Sequence, residues 1–303
     1  MKSKSLKTPL RYPGGKSRAC TKMKEHFPDL RDYVEYREPF MGGGSVALYV
    51  HSMHPHLEVW VNDLYEPLVN FWLQLQSSGK ELKDELDNLK KAHPNEDSSR
   101  CLFIEAKDIV NNKDKDDFER AVAFYIVNKC SFSGLTESSS FSKQASSSDF
   151  SFRGIDKLPE YSKLIESWTI TNHPYFHLMT ENLHDGIFMY LDPPYEIGSN
   201  LYGKKGDMHK TFDHDKFAYN CDIHSTDMMV SYNSSQLIRD RFKGWAVAEY
   251  EHTYTMRSVG DYMKEQQDRK EILLMNYNKP ANIKLSFDTC YTYDKLKKEG
   301  LAS

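Results

Sequence analysis

Apolar residues recur along the chain in two spacings, and the switch between them divides it into three stretches. Near the N-terminus, Tyr33-Val34-Glu35-Tyr36-Arg37-Glu38 is β-prone. Gly42-Gly43-Gly44 follow, and Ser45-Val46-Ala47-Leu48-Tyr49-Val50 opens as a helix. Strand, glycine turn and helix in that order make the first unit of a doubly wound sheet. Leu57-Glu58-Val59-Trp60-Val61 is a second short strand ending at Asn62-Asp63. From Pro67 to about Lys91 the spacing becomes helical, with Leu68, Phe71, Trp72 and Leu75 three and four residues apart. Residues 92–117 are polar and charged, and Phe118 to Val127 reads as another helix. Residues 138–151 are rich in serine and read as a mobile loop, after which a helical pattern resumes near Tyr161. The β rhythm then returns. Ile187-Phe188-Met189-Tyr190-Leu191 is a continuous apolar run, as a strand buried on both faces requires. Met228-Met229-Val230-Ser231-Tyr232 and Ile272-Leu273-Leu274-Met275 are two more. The expected fold is α/β: a Rossmann-like sheet built from residues 1–65 and 166–303, interrupted by a mainly helical insert over 66–165.

Composition adds limits to this picture. The 303 residues, 39% hydrophobic and 28% charged, are those of a globular chain large enough for one α/β domain with an insert. No apolar run is long enough to span a bilayer, and no signal-peptide core follows the basic N-terminus, so an intracellular place is expected. Cys20, Cys101, Cys130, Cys221 and Cys290 are scattered, without a Cys-x-x-Cys pair, so no disulfide framework or zinc ribbon is expected. His51, His54 and His56 lie close together but lack companions at ligand spacing, and no metal is expected.

The net charge of −4 argues weakly against a nucleic-acid partner. Its distribution argues otherwise, because residues 1–24 carry Lys2, Lys4, Lys7, Arg11, Lys16, Arg18, Lys22 and Lys24 and no acid. A phosphate backbone responds to local positive surface, not to the chain average. Residues 1–7 fit a solvated tail as well as they fit such a surface. Arg11 to Arg18 favours function, because a motif sits there.

Asp192-Pro193-Pro194-Tyr195 follows the apolar run at 187–191, where open α/β sheets place their ligands. An amine on an aromatic ring is a poor nucleophile, since its lone pair is delocalised. A carboxylate accepting one N–H and a backbone carbonyl accepting the other would localise that pair. Asp192 can supply the first and Pro193 the second, and proline brings no competing N–H. Pro194 holds the path extended, and Tyr195 can stack on a flat ring for about 1–3 kcal/mol. A surface turn is the bland alternative, since Asp-Pro begins many turns.

Glu38-Pro39-Phe40-Met41-Gly42-Gly43-Gly44-Ser45 is the second constellation. Glycines between strand and helix let a ligand approach the backbone, and Asp63 ends the next strand at the spacing of an acid that meets ribose hydroxyls. Asp63 also fits a helix N-cap, and both roles are compatible. Arg11-Tyr12-Pro13-Gly14-Gly15-Lys16-Ser17 resembles a P-loop only in Gly-Lys-Ser. The glycine required five residues before Gly15 is Leu10, and no strand precedes the segment, so nucleoside triphosphate binding is rejected. A turn that sets Tyr12 against a cofactor and Lys16 near a target or phosphate remains.

Together these segments resemble the Dam-type, D12-class, α-group DNA adenine N6-methyltransferases, in the order Gly-Gly-Lys, Phe-x-Gly-Gly, insert, Asp-Pro-Pro-Tyr. Asn62-Asp63-Leu64-Tyr65-Glu66-Pro67, Asn128-Lys129-Cys130-Ser131-Phe132-Ser133-Gly134-Leu135, Ser231-Tyr232-Asn233-Ser234 and the final strand at 269–277 are similar to further family segments. The resemblance implies an S-adenosylmethionine-dependent fold and the methylation of a flipped adenine in double-stranded DNA. It implies a catalytic group Asp192, Pro193, Pro194 and Tyr195. The cofactor side would comprise Tyr12, Gly14, Lys16, Glu38, Phe40, Gly42, Gly44, Ser45, Asp63, Phe176 and Asp192. The DNA side would comprise Arg11, Lys16, Arg18, Asn128, Lys129, Ser133, Gly134 and Lys143. It further implies a prokaryotic or phage-infected cytoplasm, a monomer or weak dimer on DNA, and a cognate restriction endonuclease.

Two departures stand out. Phe176-His177-Leu178 falls where the family often has an acid on the cofactor adenine. Thr136, Glu137 and serines follow Leu135 where GATC-reading members carry an arginine. Alternatives from other classes are an enzyme acting on cytosine N4 or on RNA, and an inactive DNA-binding relative.

Overall fold

The structure, a computed structural model, describes residues 6–12, 14–134, 139–195, 212–251 and 270–277, with only the backbone at Ser133, Glu251 and Lys270. Seven strands form one mixed sheet in the order β3-β2-β1-β4-β5-β7-β6. They are β1 (Glu35–Glu38), β2 (Glu58–Asn62), β3 (Thr169–Thr171), β4 (Ile187–Leu191), β5 (Asp227–Asn233), β6 (Ala246–Glu251) and β7 (Lys270–Met275). The first five run parallel, and β7 lies antiparallel between β5 and β6. The chain works outward from β1 to β3, then returns to add β4 on the other side of β1. The switch point therefore lies between β1 and β4, and a crevice opens beyond the carboxyl ends of those two strands.

The helices are α1 (Cys20–Met23), α2 (Ser45–Met53), α3 (Glu66–Ala92), α4 (Glu96–Val110), α5 (Asp117–Cys130), α6 (Lys143–Ser148), α7 (Phe152–Ile155), α8 (Leu158–Leu164), α9 (Phe176–Thr180), α10 (His214–Asp222) and α11 (Gln236–Arg241). Both sheet faces are covered, which is why β4 and the central parts of β5 and β7 read as apolar runs without alternation. Met228, Val230 and Tyr232 of β5 face Phe217 of α10 and Ile238 of α11. On the other face Tyr36, Phe188 and Leu273 join a core that continues through Val46 and Phe71 to Leu86, Phe103 and Phe124. The helices between β2 and β3 thus share their hydrophobic core with one face of the sheet.

The polar stretch at 92–117 contains a full helix. Asn95 and Ser98 form a reciprocal capping box at the start of α4, and Leu102, Phe103, Ala106 and Val110 make its buried stripe. The serine-rich segment read as a mobile loop is also partly helical. Ser142 accepts the amide of Ala145 to cap α6, while the Ser146, Ser147 and Ser148 hydroxyls bond back to carbonyls at Lys143 and Gln144. Serine satisfies caps and back-bonds as readily as it populates loops, so its abundance alone did not separate the two. Ser138 of that segment, and Leu135, Thr136 and Glu137 before it, lie outside the described residues. No helix among the described residues is long and apolar enough to cross a membrane.

Candidate active site

Asp192 is the first residue past β4, at the carboxyl end of the sheet beside the switch point. Its carboxylate is gripped on both oxygens. Ser231 of β5 donates to Oδ1 at 2.6 Å, and the Lys16 ammonium lies 3.0 Å from Oδ2. Behind Ser231, the Tyr190 hydroxyl lies 2.9 Å away. Ser231 spends its proton on Asp192, so Tyr190 is the donor of that pair. Burial pushes the Tyr190 hydroxyl well above its usual pKa, which keeps its proton in place.

Lys16 lies in a 3-10 turn, Lys16–Arg18, and is buried. Burial alone would lower its pKa, but Asp192 and then Glu271 hold it above the ordinary lysine value. The same ammonium donates to the Tyr195 hydroxyl at 2.8 Å and to the Gly14 carbonyl at 3.3 Å. Tyr195 in turn tilts against Tyr232, with centroids 5.8 Å apart. Lys16 is thus turned inward onto the Asp-Pro-Pro-Tyr segment, and a contact from its ammonium to a DNA phosphate is not the arrangement seen.

The glycine turn leaves β1 one residue after Pro39. Gly42 and Gly44 take φ of +51° and +66°, where a side chain is strained. A Cβ on Gly42 or Gly43 would lie 2.8 Å from Tyr12, and one on Gly44 would lie 2.8 Å from the Trp72 indole. The close approach that these glycines permit is therefore made by two aromatic rings of the chain itself. Asp63 fastens the turn: Oδ2 accepts the Gly42 amide at 2.8 Å and Oδ1 accepts the Tyr65 amide at 2.9 Å. The N-cap position of α3 falls to Tyr65, so Asp63 holds the approach to that helix from two residues earlier. Gly44 is the N-cap of α2 and Ser45 its first residue.

Glu38 is buried at the end of β1 and accepts the Tyr36 hydroxyl at 2.8 Å. Burial raises its pKa far above the carboxylate range; the Tyr36 bond opposes this, and the charge of Asp192 adds to it. Burial likewise raises Asp63, against the backbone amides of Tyr65, Gly42 and Leu64. Three carboxyl groups from the ends of neighbouring strands β1, β2 and β4 thus lie together, close enough that Glu38 feels the charges of Asp192 and Asp63. Beside them, Phe40 stacks on Tyr175 at 5.3 Å, with Phe212 and Phe217 edge-on to Phe40. Phe176 begins α9 half-exposed, packed edge-on to Tyr175.

The residues expected on the DNA side divide. Asn128, at the end of α5, is buried and clasps the N-terminal arm: it accepts the Arg11 amide at 2.9 Å and donates to the Arg11 and Gly134 carbonyls at 2.7 and 3.0 Å. Arg11 reaches the Ser131 carbonyl at 2.6 Å and Asp149 at 3.3 Å. Gly134, at φ +73°, packs where any Cβ would strike Arg11. Ser131 and Phe141 form an antiparallel bridge, and the Phe132 amide donates to the Ser140 carbonyl beside it. Lys129 lies over the Tyr125 ring at 5.4 Å, and burial lowers its pKa to about 8. Lys143 is exposed and pairs with Glu96 at 2.5 Å, and Arg18 is exposed. The Ser133 side chain lies outside the described residues.

Ser231, Glu271, Tyr190 and Tyr175 are site residues that the motifs did not single out. For Ser231 and Glu271 a signal existed, since each is a polar residue set in an otherwise apolar strand. Among the described residues no group of three or more His, Cys, Asp or Glu is placed to hold a metal ion.

Comparison with known proteins bears on this site. A sequence model described as D12 class N6 adenine-specific DNA methyltransferase matches residues 12–256. The chain is 24% identical over 290 residues to the Type II methyltransferase M.MjaIII of Methanocaldococcus jannaschii, covering 88% of this chain and 98% of that protein. It is 23% identical over 287 residues to the Type II methyltransferase M1.LlaDCHI of Lactococcus lactis subsp. cremoris, covering 88% of this chain and 94% of that one.

Proposed function

The chain belongs to the D12 class of N6 adenine-specific DNA methyltransferases, and from that premise we propose that Asp192, Pro193, Pro194 and Tyr195 form its catalytic centre. The observation that carries this reading is the double grip on Asp192, by Ser231 at Oδ1 and by Lys16 at Oδ2. It leaves the carboxylate fixed in direction at the mouth of the crevice, with lone pairs free to accept an N–H of the target amine. The Pro193 carbonyl accepts the other N–H, and the nitrogen lone pair is thereby localised for attack. Tyr195 stacks on the adenine once it has been turned out of the duplex, and Pro194 holds the path between them.

S-adenosylmethionine is proposed to bind beside this centre, at the carboxyl ends of β1 and β2. Glu38, Asp63 and Asp192 would line its site, and the positive charge of a bound sulfonium would favour the ionised forms of Glu38 and Asp63, which burial otherwise opposes. Tyr12, Gly14, Gly42, Gly44 and Ser45 shape the floor, while Phe40 and Tyr175, with Phe176 outside them, offer an apolar wall. When bound, this cofactor supplies an electrophilic methyl group on a sulfonium that is already a good leaving group. The chain's contribution is in-line positioning more than base strength.

Residues 66–165 are proposed to be the unit that reads double-stranded DNA, with the hairpin that follows Asn128 at its reading edge. Arg11, Arg18, Lys129 and Lys143 would supply positive charge towards phosphates. The family supports work on DNA, and both relatives come from prokaryotes; a cytoplasmic place, a cognate restriction endonuclease and a monomer or weak dimer on DNA are proposed with it. Calorimetric titration with S-adenosylmethionine tests the cofactor side. Wild type and Asp192→Ala should bind, and Gly42→Val, which drives a side chain into Tyr12, should not. Equal binding by Gly42→Val would remove the glycine turn from the cofactor site.

A further inference from the structure

Glu271 heads the antiparallel strand β7 and is buried, in register with Asn233 of β5 and Tyr250 of β6. A carboxylate taken from water costs several kcal/mol unless it is partnered. Glu271 has its partners: the Tyr250 hydroxyl donates to Oε2, and the Lys16 ammonium lies 3.7 Å from Oε1. Lys16 makes its shorter contacts elsewhere, to Asp192 at 3.0 Å, Tyr195 at 2.8 Å and Gly14 at 3.3 Å. One ammonium therefore joins the first and last residues of the tetrapeptide, with a second acid behind it.

We propose that Glu271 is a positioning residue for methyl transfer: it holds the Lys16 ammonium from behind, and Lys16 in turn fixes the Asp192 carboxylate and the Tyr195 hydroxyl. The proposal rests on the reading of Asp192 as the acceptor of the target amine. Glu271 acts through Lys16. Two charges face Lys16, Asp192 after β4 and Glu271 on β7; the Tyr195 hydroxyl beyond the two prolines and the Cys20 thiol of α1 are the other titratable groups near it. Burial works against the charged form of Lys16, and the two acids outweigh it. Withdrawing the charge of Glu271 leaves one acid to oppose burial. The ammonium then loses its proton at lower pH, and the neutral amine no longer donates to Asp192 and Tyr195 together.

The test compares wild type with Glu271→Gln, Glu271→Asp and Asp192→Ala. It reads kcat, KM for DNA, cofactor affinity by calorimetry, melting temperature, and the pH–rate profile from neutral to alkaline. Glutamine keeps the shape and still accepts the Tyr250 hydroxyl. Glu271→Gln should lower kcat about 10- to 100-fold, through loss of its buried ion pair to Lys16, with cofactor affinity unchanged. Its alkaline limb should move to lower pH, and Glu271→Asp, which keeps the charge, should restore the limb. A merely structural residue would lower the melting temperature and leave the limb where it is, and that result overturns the proposal. Should Glu271→Gln fail to fold, Glu271→Asp decides: a limb displaced despite the retained charge overturns it. Asp192→Ala separates the two readings. Retained turnover there sinks the catalytic centre itself, whereas an inactive Asp192→Ala beside a wild-type-like Glu271→Gln sinks only the role of Glu271.

Discussion

Ser231 is one hydroxyl in the middle of a buried strand, yet it decides where Asp192 points. Tyr190 donates to Ser231 and Ser231 donates to Asp192, so the carboxylate is oriented by a relay that begins inside the sheet. A hydrogen bond to a charged group contributes about 1.5–3 kcal/mol, so Ser231→Ala should lower kcat roughly 10- to 100-fold. Cofactor affinity should stay the same, because the glycine turn does not depend on Ser231. Single-turnover kinetics with calorimetry separate the two effects, and equal losses in both would mean that Ser231 supports the fold instead. Lys129 offers a second test at this scale. Burial lowers its pKa to about 8, with Asp149 opposing and Arg11 adding. It is charged below that pH and neutral above it. If it faces a phosphate, DNA affinity falls as pH rises through about 8, and Lys129→Arg abolishes the fall. An identical pH dependence in the two proteins would take Lys129 off the DNA.

Elements carry the site because their ends meet at one edge of the sheet. β1, β2 and β4 deliver Glu38, Asp63 and Asp192, and each acid falls at or just past the last residue of its strand. β4 was legible in the sequence because burial on both faces leaves a run of large apolar residues, whereas β1, with three charged residues, was legible from its β-prone stretch and the glycine turn after it. β3, with three residues at the sheet edge, and β6, with Glu249 and Glu251 among its six, lack such a run. α4 was hidden by the charges on its outer face, since a half-exposed helix needs only a narrow apolar stripe. The glycine turn was legible as a turn, but not its neighbours. Which rings press against it depends on how Tyr12 and Trp72 come back from distant parts of the chain. Gly44→Ala should accordingly destabilise the protein by about 1–3 kcal/mol, through left-handed backbone strain and the Trp72 contact. Denaturant unfolding measures this, and a change within error would mean that the indole swings aside freely.

For the whole molecule, sheet and insert meet through the N-terminal arm. Arg11 is held by Asn128 of α5, and five residues later Lys16 enters the catalytic network. The arm thus links Asn128 and the Ser131–Phe141 bridge to Asp192. The motifs in the sequence named Arg11, Asn128, Lys16 and Asp192 separately. That they form one connected path came from packing, because contacts between residues more than a hundred positions apart leave no local pattern. The central claim is that Asp192 holds the adenine amine for methylation. It is tested most directly by incubating DNA with isotope-labelled S-adenosylmethionine and either wild type or Asp192→Ala, digesting to nucleosides and identifying the labelled base by mass spectrometry. The account predicts label on N6-methyladenine alone with wild type, and none with an Asp192→Ala protein that still binds the cofactor. Label on cytosine, or undiminished N6-methyladenine from Asp192→Ala, would contradict it.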